Sequence, residues 1–189
     1  MQRIADFIRA TLNLRVFLPL LAVVLVATWF GLSWSADRFA GLTDGLHFMD
    51  MQPRLTADEL FAQIRTYAPE TVEFYLWWSL FDYAWPLLTF TAMLYISAWL
   101  FGFLPIPSQR RFPLLVASAY LTVLMDWGEN IGFAVLLLGL PEERTWLAHL
   151  TLTLHAAKLF FDVMFNIGFS IVLVAVVVTQ LKSRLGRAG

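Results

Sequence analysis

The segment from Pro113 to Leu140 limits most sharply what this chain can become. It is an apolar run long enough to cross a membrane, and it carries Asp126, Glu129 and Asn130 inside it. Ionisable groups in such a run are costly in hydrocarbon and are kept where they meet partners or serve a function. At 100° per residue, Thr122, Asp126, Glu129 and Asn130 fall within an arc of roughly a third of a turn, a polar stripe along a helix. Gly128 and Gly132 are assigned to the opposite side with small-xxx-small spacing, so both faces are expected to be covered by protein.

The rest of the chain has the composition to match. Of its 189 residues 59% are hydrophobic and 14% charged, and the mean hydropathy of +0.68 lies outside the range of soluble domains. The expected fold is all-α: a polytopic membrane protein forming a four-helix transmembrane bundle, a single domain over residues 1–189. The spans fall at about 16–36, 79–103, 113–140 and 147–181, and an outer loop at 37–73 carries a short amphipathic helix. The absence of cysteine excludes disulfides, thiol catalysis and thiolate metal sites.

Taken in order, residues 1–15 carry Arg3, Arg9 and Arg15 against Asp6, with Ile4, Phe7, Ile8 and Leu12 near helical spacing, which predicts an amphipathic helix on the membrane surface. The uncharged run from Val16 to Ala36 spans. Ser33-Trp34-Ser35 before Ala36 also fits a signal-peptide cleavage site, but the length of the run and the bulk of Trp34 favour an uncleaved helix. Turn chemistry is expected at Gly41 and Asp44-Gly45. Thr56-Ala57-Asp58-Glu59 is a capping box opening a helix whose apolar face is Leu60, Phe61, Ile64 and Tyr67. Pro69 suits the first turn of the next helix, where Asp82 precedes Pro86 by one turn; Pro86 should free the carbonyl of Asp82 and kink the helix there. Arg110 and Arg111 sit in a proline-rich turn, and Lys182, Arg184 and Arg187 close the chain.

Eight of the thirteen Lys and Arg residues belong to the N-terminus, the Arg110-Arg111 turn and the C-terminus, whereas nine of the fourteen acids lie in the two opposite loops. The positive-inside rule then predicts an inner-membrane protein, multi-pass, with both termini cytoplasmic and the long acidic loop outside. All Trp residues but Trp99 fall toward the outer half.

A second polar stripe runs along the last helix, where Thr151, His155, Lys158, Asp162 and Asn166 follow at intervals of three and four. Asp126 lies about 20 Å and Glu129 about 25 Å above Pro113, and Asp82 and Asp162 lie near the outer boundary of their spans. Up-down packing would bring Asp82, Asp126, Glu129, Asn130, His155, Lys158, Asp162 and Asn166 into one ligand-binding site in the outer half of the bilayer. Four acids facing one lysine require neutralisation, whether by protons, a loop arginine, a cation or a cationic ligand. Lys158 and Asp162 are expected to pair as an i,i+4 couple. The three histidines are too scattered for a metal site, and no phosphate loop, nucleophilic triad or haem-ligand pair is present, so neither metal nor cofactor is expected.

The Thr-Ala-Asp-Glu-Leu loop helix, Asp82 before Pro86, Asp126-x-x-Glu129-Asn130 and a lysine in the fourth helix together resemble small uncharacterised four-span inner-membrane proteins of bacteria. In architecture the chain also resembles the emopamil-binding/sigma-2 receptor class, a likeness that implies a pocket for a sterol-like or amphiphilic amine ligand; the isomerase members' histidine and aromatic arrangement is absent here. Three functions are open at this point. One is a site for a lipid or hydrophobic amphiphile, with or without acid–base chemistry. Another is an accessory or assembly subunit of a larger membrane complex. The third is proton or cation conduction by a homo-oligomer. The expected partners are membrane lipids, a hydrophobic small molecule and membrane proteins, not nucleic acid.

Overall fold

The computed structural model describes residues 1–185; Arg187 of the basic C-terminus lies outside them. The chain is 84% helical, with no strand among the described residues, and four of its helices are long and apolar enough to cross a membrane.

Helix α1 (Gln2–Thr11) does form at the basic N-terminus. Its Ala5 and Ile8 are buried against the rest of the molecule, and Arg9 donates to the Gln109 carbonyl at 2.8 Å while its guanidinium lies 4.8 Å over Phe112. Asn13 caps α2 (Leu14–Val26) by accepting the Arg15 N–H at 2.9 Å. The first long helix does not end at 36: α2 passes through a π turn at Ala27–Leu32 into α3 (Ser33–Leu42), giving 29 continuous residues. Gly41 is therefore helical. The chain turns instead at Thr43–Gly45, where Asp44 (φ 53°) and Gly45 (φ 95°) adopt the left-handed conformation that Gly and Asp tolerate best.

The capping box opens α4 (Ala57–Ile64) as expected. Thr56 N–H donates to Glu59 Oε2 at 2.8 Å, and the Glu59 N–H donates to Thr56 Oγ1 at 3.3 Å. Pro69 occupies the first turn of α5 (Pro69–Phe101), which holds Pro86 in its interior. A one-turn α6 (Ile106–Gln109) leads into α7 (Phe112–Leu138), and α8 (Thr145–Leu185) returns.

Helices α5, α7 and α8 pack together, and the longest interface joins α7 to α8. Gly128 abuts Leu154, and a Cβ at Gly132 would run into Thr151. Gly132 is thus not opposite the polar stripe: it lies only about 60° from Glu129 around the helix and shares with it the side that meets α8, while Gly128 lies about 160° from Asp126. The true far side, with Leu124, Ile131 and Leu138, is exposed. The α2–α3 helix packs along α5 and makes no extended contact with α8. Phe39, Phe48, Tyr75, Trp78 and Phe133 join Leu60 and Ile64 of α4 in an apolar plug that closes the loop end, with Phe39 and Phe48 stacked at 4.1 Å. A second cluster around Ile8, Phe101, Phe112 and Phe165 fills the end that carries the termini.

Candidate functional site

Where α5, α7 and α8 meet beneath the plug, their polar side chains turn toward one another. Glu129 is fully buried with both oxygens engaged: Oε1 lies 2.8 Å from His155 Nδ1 and Oε2 2.7 Å from Lys158 Nζ. The lysine also reaches Asp126 Oδ1 at 3.1 Å. Asn130 completes the link to α5 by donating from Nδ2 to Asp82 Oδ2 at 2.9 Å, with Asp126 Oδ2 at 3.5 Å. Each contact follows from helical register. Asp126, Glu129 and Asn130 lie within one turn of α7, and His155 and Lys158 are one turn apart on α8.

Six of the eight candidate residues, Asp82, Asp126, Glu129, Asn130, His155 and Lys158, therefore form one connected network. Asp162 and Asn166 do not join it by contact. Lys158 makes no ion pair with Asp162, contrary to the expected i,i+4 couple. Two buried carboxylates on α7 offer it a closer, better desolvated pairing than a half-exposed neighbour one turn along its own helix. Asp162 instead accepts from Asn166 Nδ2 at 3.0 Å.

A cavity of about 410 Å³ lies against this network, and both Asp162 and Asn166 line it. Its polar wall is Asp50, Asp82, Asp126, Lys158 and Asp162; its apolar wall includes Leu32, Trp85, Phe90, Met93 and Phe165. Along α5 the order Asp82, Trp85, Phe90, Met93 runs from carboxylate to hydrocarbon over roughly 16 Å, whereas on α8 Asp162 and Asn166 flank Phe165, which meets Phe90, so that side stays polar at the same depth. Thr89 also lines it, and its Oγ1 is buried without a protein partner, as is His155 Nε2 within the network. Glu129 and His155 are not part of the lining.

One wall comes from the π turn of the first long helix, a distortion that often marks functional positions. There Leu32 faces the cavity, Gly31 allows Phe81 to approach, and Thr28 Oγ1 accepts from Trp85 Nε1 at 3.0 Å. Asn166 of α8, which is exposed, also lines the cavity, and the first helix and α8 lack extended contact.

Asp50 is absent from the sequence-based set. It belongs to a 3₁₀ turn, Met49–Met51, that roofs the cavity, and Tyr75 O–H donates to its Oδ1 at 3.4 Å. Burial, followed by the nearby Asp82 carboxylate, pushes the Asp50 carboxyl up to about 7. The available signal was an acid set among Phe48, Met49 and Met51 in an otherwise polar loop. The roof is held by Gln63, whose Nε2 donates to the His47 carbonyl at 3.0 Å and lies 2.6 Å from Tyr67 Oη, while Gln52 donates to Gln63 Oε1 at 2.9 Å.

Among the described residues no three His, Asp or Glu side chains are arranged to hold a metal ion. No protein-family model, curated protein or solved structure matches the chain. The arrangement can bind a polar head that offers hydrogen-bond donors or positive charge to Asp50, Asp82 and Asp126 while an apolar body lies against Trp85, Phe90 and Met93.

Proposed function

We propose that this chain is a four-span inner-membrane protein with cytoplasmic termini, and that its cavity binds a lipid or hydrophobic amphiphile from the outer leaflet. The observation that carries this reading is the two-sided lining of the cavity, with Asp50, Asp82 and Asp126 at the loop end and Trp85, Phe90 and Met93 of α5 toward the middle of the bundle. Ligand sites of this kind are mostly apolar with a few placed polar groups.

The lack of extended contact between the first helix and α8, a seam beside the cavity, supports entry from the side. The roof of Asp50, Met51 and α4, together with the aromatic plug, stands between the cavity and the aqueous loops, whereas the seam would face the acyl chains. Five carboxylates, those of Asp50, Asp82, Asp126, Glu129 and Asp162, stand around one ammonium, which favours a head with a positive charge or several donors. Lys158 and Glu129 hold the wall in place, and Asp82 and Asp126 meet the ligand. Acid–base chemistry at Asp126 is an extension that turnover of the isolated ligand would establish.

Native mass spectrometry of protein released from mild detergent tests the reading. Wild type should carry a discrete non-protein mass that is lost both in Asp126→Asn and in Thr89→Trp, which fills the cavity. A bare protein, or an added mass equal to another polypeptide, overturns ligand binding and favours an accessory subunit.

A further inference from the structure

A second groove lies at the opposite end of the bundle, between the start of α7 and the later turns of α8. Its apolar sides include Leu114, Leu115, Met164 and Val172, and Ser118 lies within it. Gly168 presents no side chain on α8, and Leu115 Cδ1 packs over it, 2.9 Å from where a Cβ would stand. Arg111 and the half-buried Ser108 stand at one end, seven residues or about 10 Å from Ser118 along α7. The groove is about 330 Å³.

The charge around it is one-sided. The segments at this end carry Arg3, Arg9, Arg15, Arg110, Arg111, Lys182 and Arg184 against Asp6, which lies 4.0 Å from Arg9. Neither Arg110 nor Arg111 has an acidic partner among the described residues. A bare arginine at the polar end of an apolar slot between helices matches an anionic head joined to an acyl chain, and basic pockets between helices on the cytoplasmic side hold such lipids.

We infer that this groove seats one anionic phospholipid, with its phosphate on Arg111 and Ser108 and an acyl chain lying between α7 and α8 past Gly168 and Ser118. The inference rests on the membrane placement proposed above but not on the acidic cavity. The lipid would be a fixed part of the α7–α8 interface, held at the cytoplasmic face while the other site works from the outer leaflet.

The test uses full-length protein reconstituted in vesicles of equal phosphatidylcholine and phosphatidylglycerol, then analysed by native mass spectrometry for retained lipid. Wild type should keep phosphatidylglycerol in preference to phosphatidylcholine. Arg111→Gln should lower that retention about tenfold, and Ser118→Leu, which fills the groove without changing charge, should do the same. Arg15→Gln, at the same end but outside the groove, should leave it unchanged. The proposal is overturned if Arg15→Gln lowers retention as much as Arg111→Gln, since the attraction is then diffuse. It is also overturned if Ser118→Leu has no effect, or if the two lipids are held equally. Loss of the mass assigned to the acidic cavity in Asp126→Asn is read separately, so each site can fail alone.

Discussion

Lys158 Nζ stands between two carboxylates of α7, 2.7 Å from Glu129 Oε2 and 3.1 Å from Asp126 Oδ1. Removing the one cation of this buried network leaves both carboxylates uncompensated, a loss of about 3–5 kcal/mol. Lys158→Met should therefore lower thermal stability sharply in detergent, and adding Glu129→Gln should recover part of the loss. Asp162→Asn should recover none of it. A double-mutant cycle by thermal unfolding checks this; coupling of Lys158 to Asp162 instead of Glu129 would contradict the observed pairing.

Asp126 and Glu129 differ in what their replacement should do. Glu129 is fully enclosed and ties α7 to α8 through two partners, so Glu129→Gln should cost about 2 kcal/mol or more. Asp126 lines the cavity, and the Asn130–Asp82 bond survives its change. Asp126→Asn should stay within about 1 kcal/mol of wild type, roughly 2–4 °C in melting temperature for a chain of this size, yet lose the bound mass.

The roof should make stability depend on pH. The Asp50 carboxyl lies at about 7 when folded against an ordinary value of 3.8, so the folded state holds a proton that the unfolded state releases earlier. Stability from this group is complete below about pH 4 and is lost as pH rises to about 7. Asp50→Asn should then melt above wild type at pH 8, and the difference should shrink toward pH 4. Melting curves of both proteins at several pH values decide it; an advantage largest at low pH reverses the expected sign.

The close approach of α7 and α8 depends on Gly132. A Cβ there meets Thr151, so Gly132→Ala should destabilise by about 1–3 kcal/mol through overpacking. Combining it with Thr151→Ala should relieve part of the strain. Thermal unfolding of the single and double variants measures the relief.

The ion pair Arg65–Glu143 joins the residue after α4 to the turn before α8 at 2.5 Å, but both side chains are substantially solvated. Arg65→Ala should leave the melting temperature nearly unchanged, because exposed ion pairs are screened by solvent. Gln63→Ala, which removes the contacts holding the roof, should cost more and should raise amide exchange around Met49–Met51. Hydrogen exchange distinguishes the two.

Much of this was legible in the chain, because helical periodicity is local. The polar stripe of α7, the stripe of α8, the capping box at Thr56 and the start at Pro69 all lie within a few turns, and the structure repeats them. What was hidden depends on how distant elements meet. Lys158 chose α7 carboxylates over its own neighbour Asp162, which no spacing along α8 reveals. Asp50 reaches the cavity through a 3₁₀ turn whose position depends on Tyr75, 25 residues on. Gly132 stands only about 60° from Glu129, so its small-residue spacing alone does not separate the glycine face from the acidic one. The π turn at Ala27–Leu32 leaves no mark in an uncharged run, because its extra residue shifts register without changing composition.

The crossed charges of α7 and α8 also bear on biogenesis. In a bilayer, Asp126 and Glu129 would each cost about 2.5–3.5 kcal/mol to present to lipid, and their counter-charge on Lys158 lies in the helix synthesised next. Neither helix is a good solitary passenger. The turn between them is short, from Gly139 to Arg144, so the two can leave the insertion machinery as a hairpin with the acids already neutralised. Lengthening that turn should strand α7 without its partner and send the nascent chain to quality-control proteolysis, even though no residue of the mature cavity is altered.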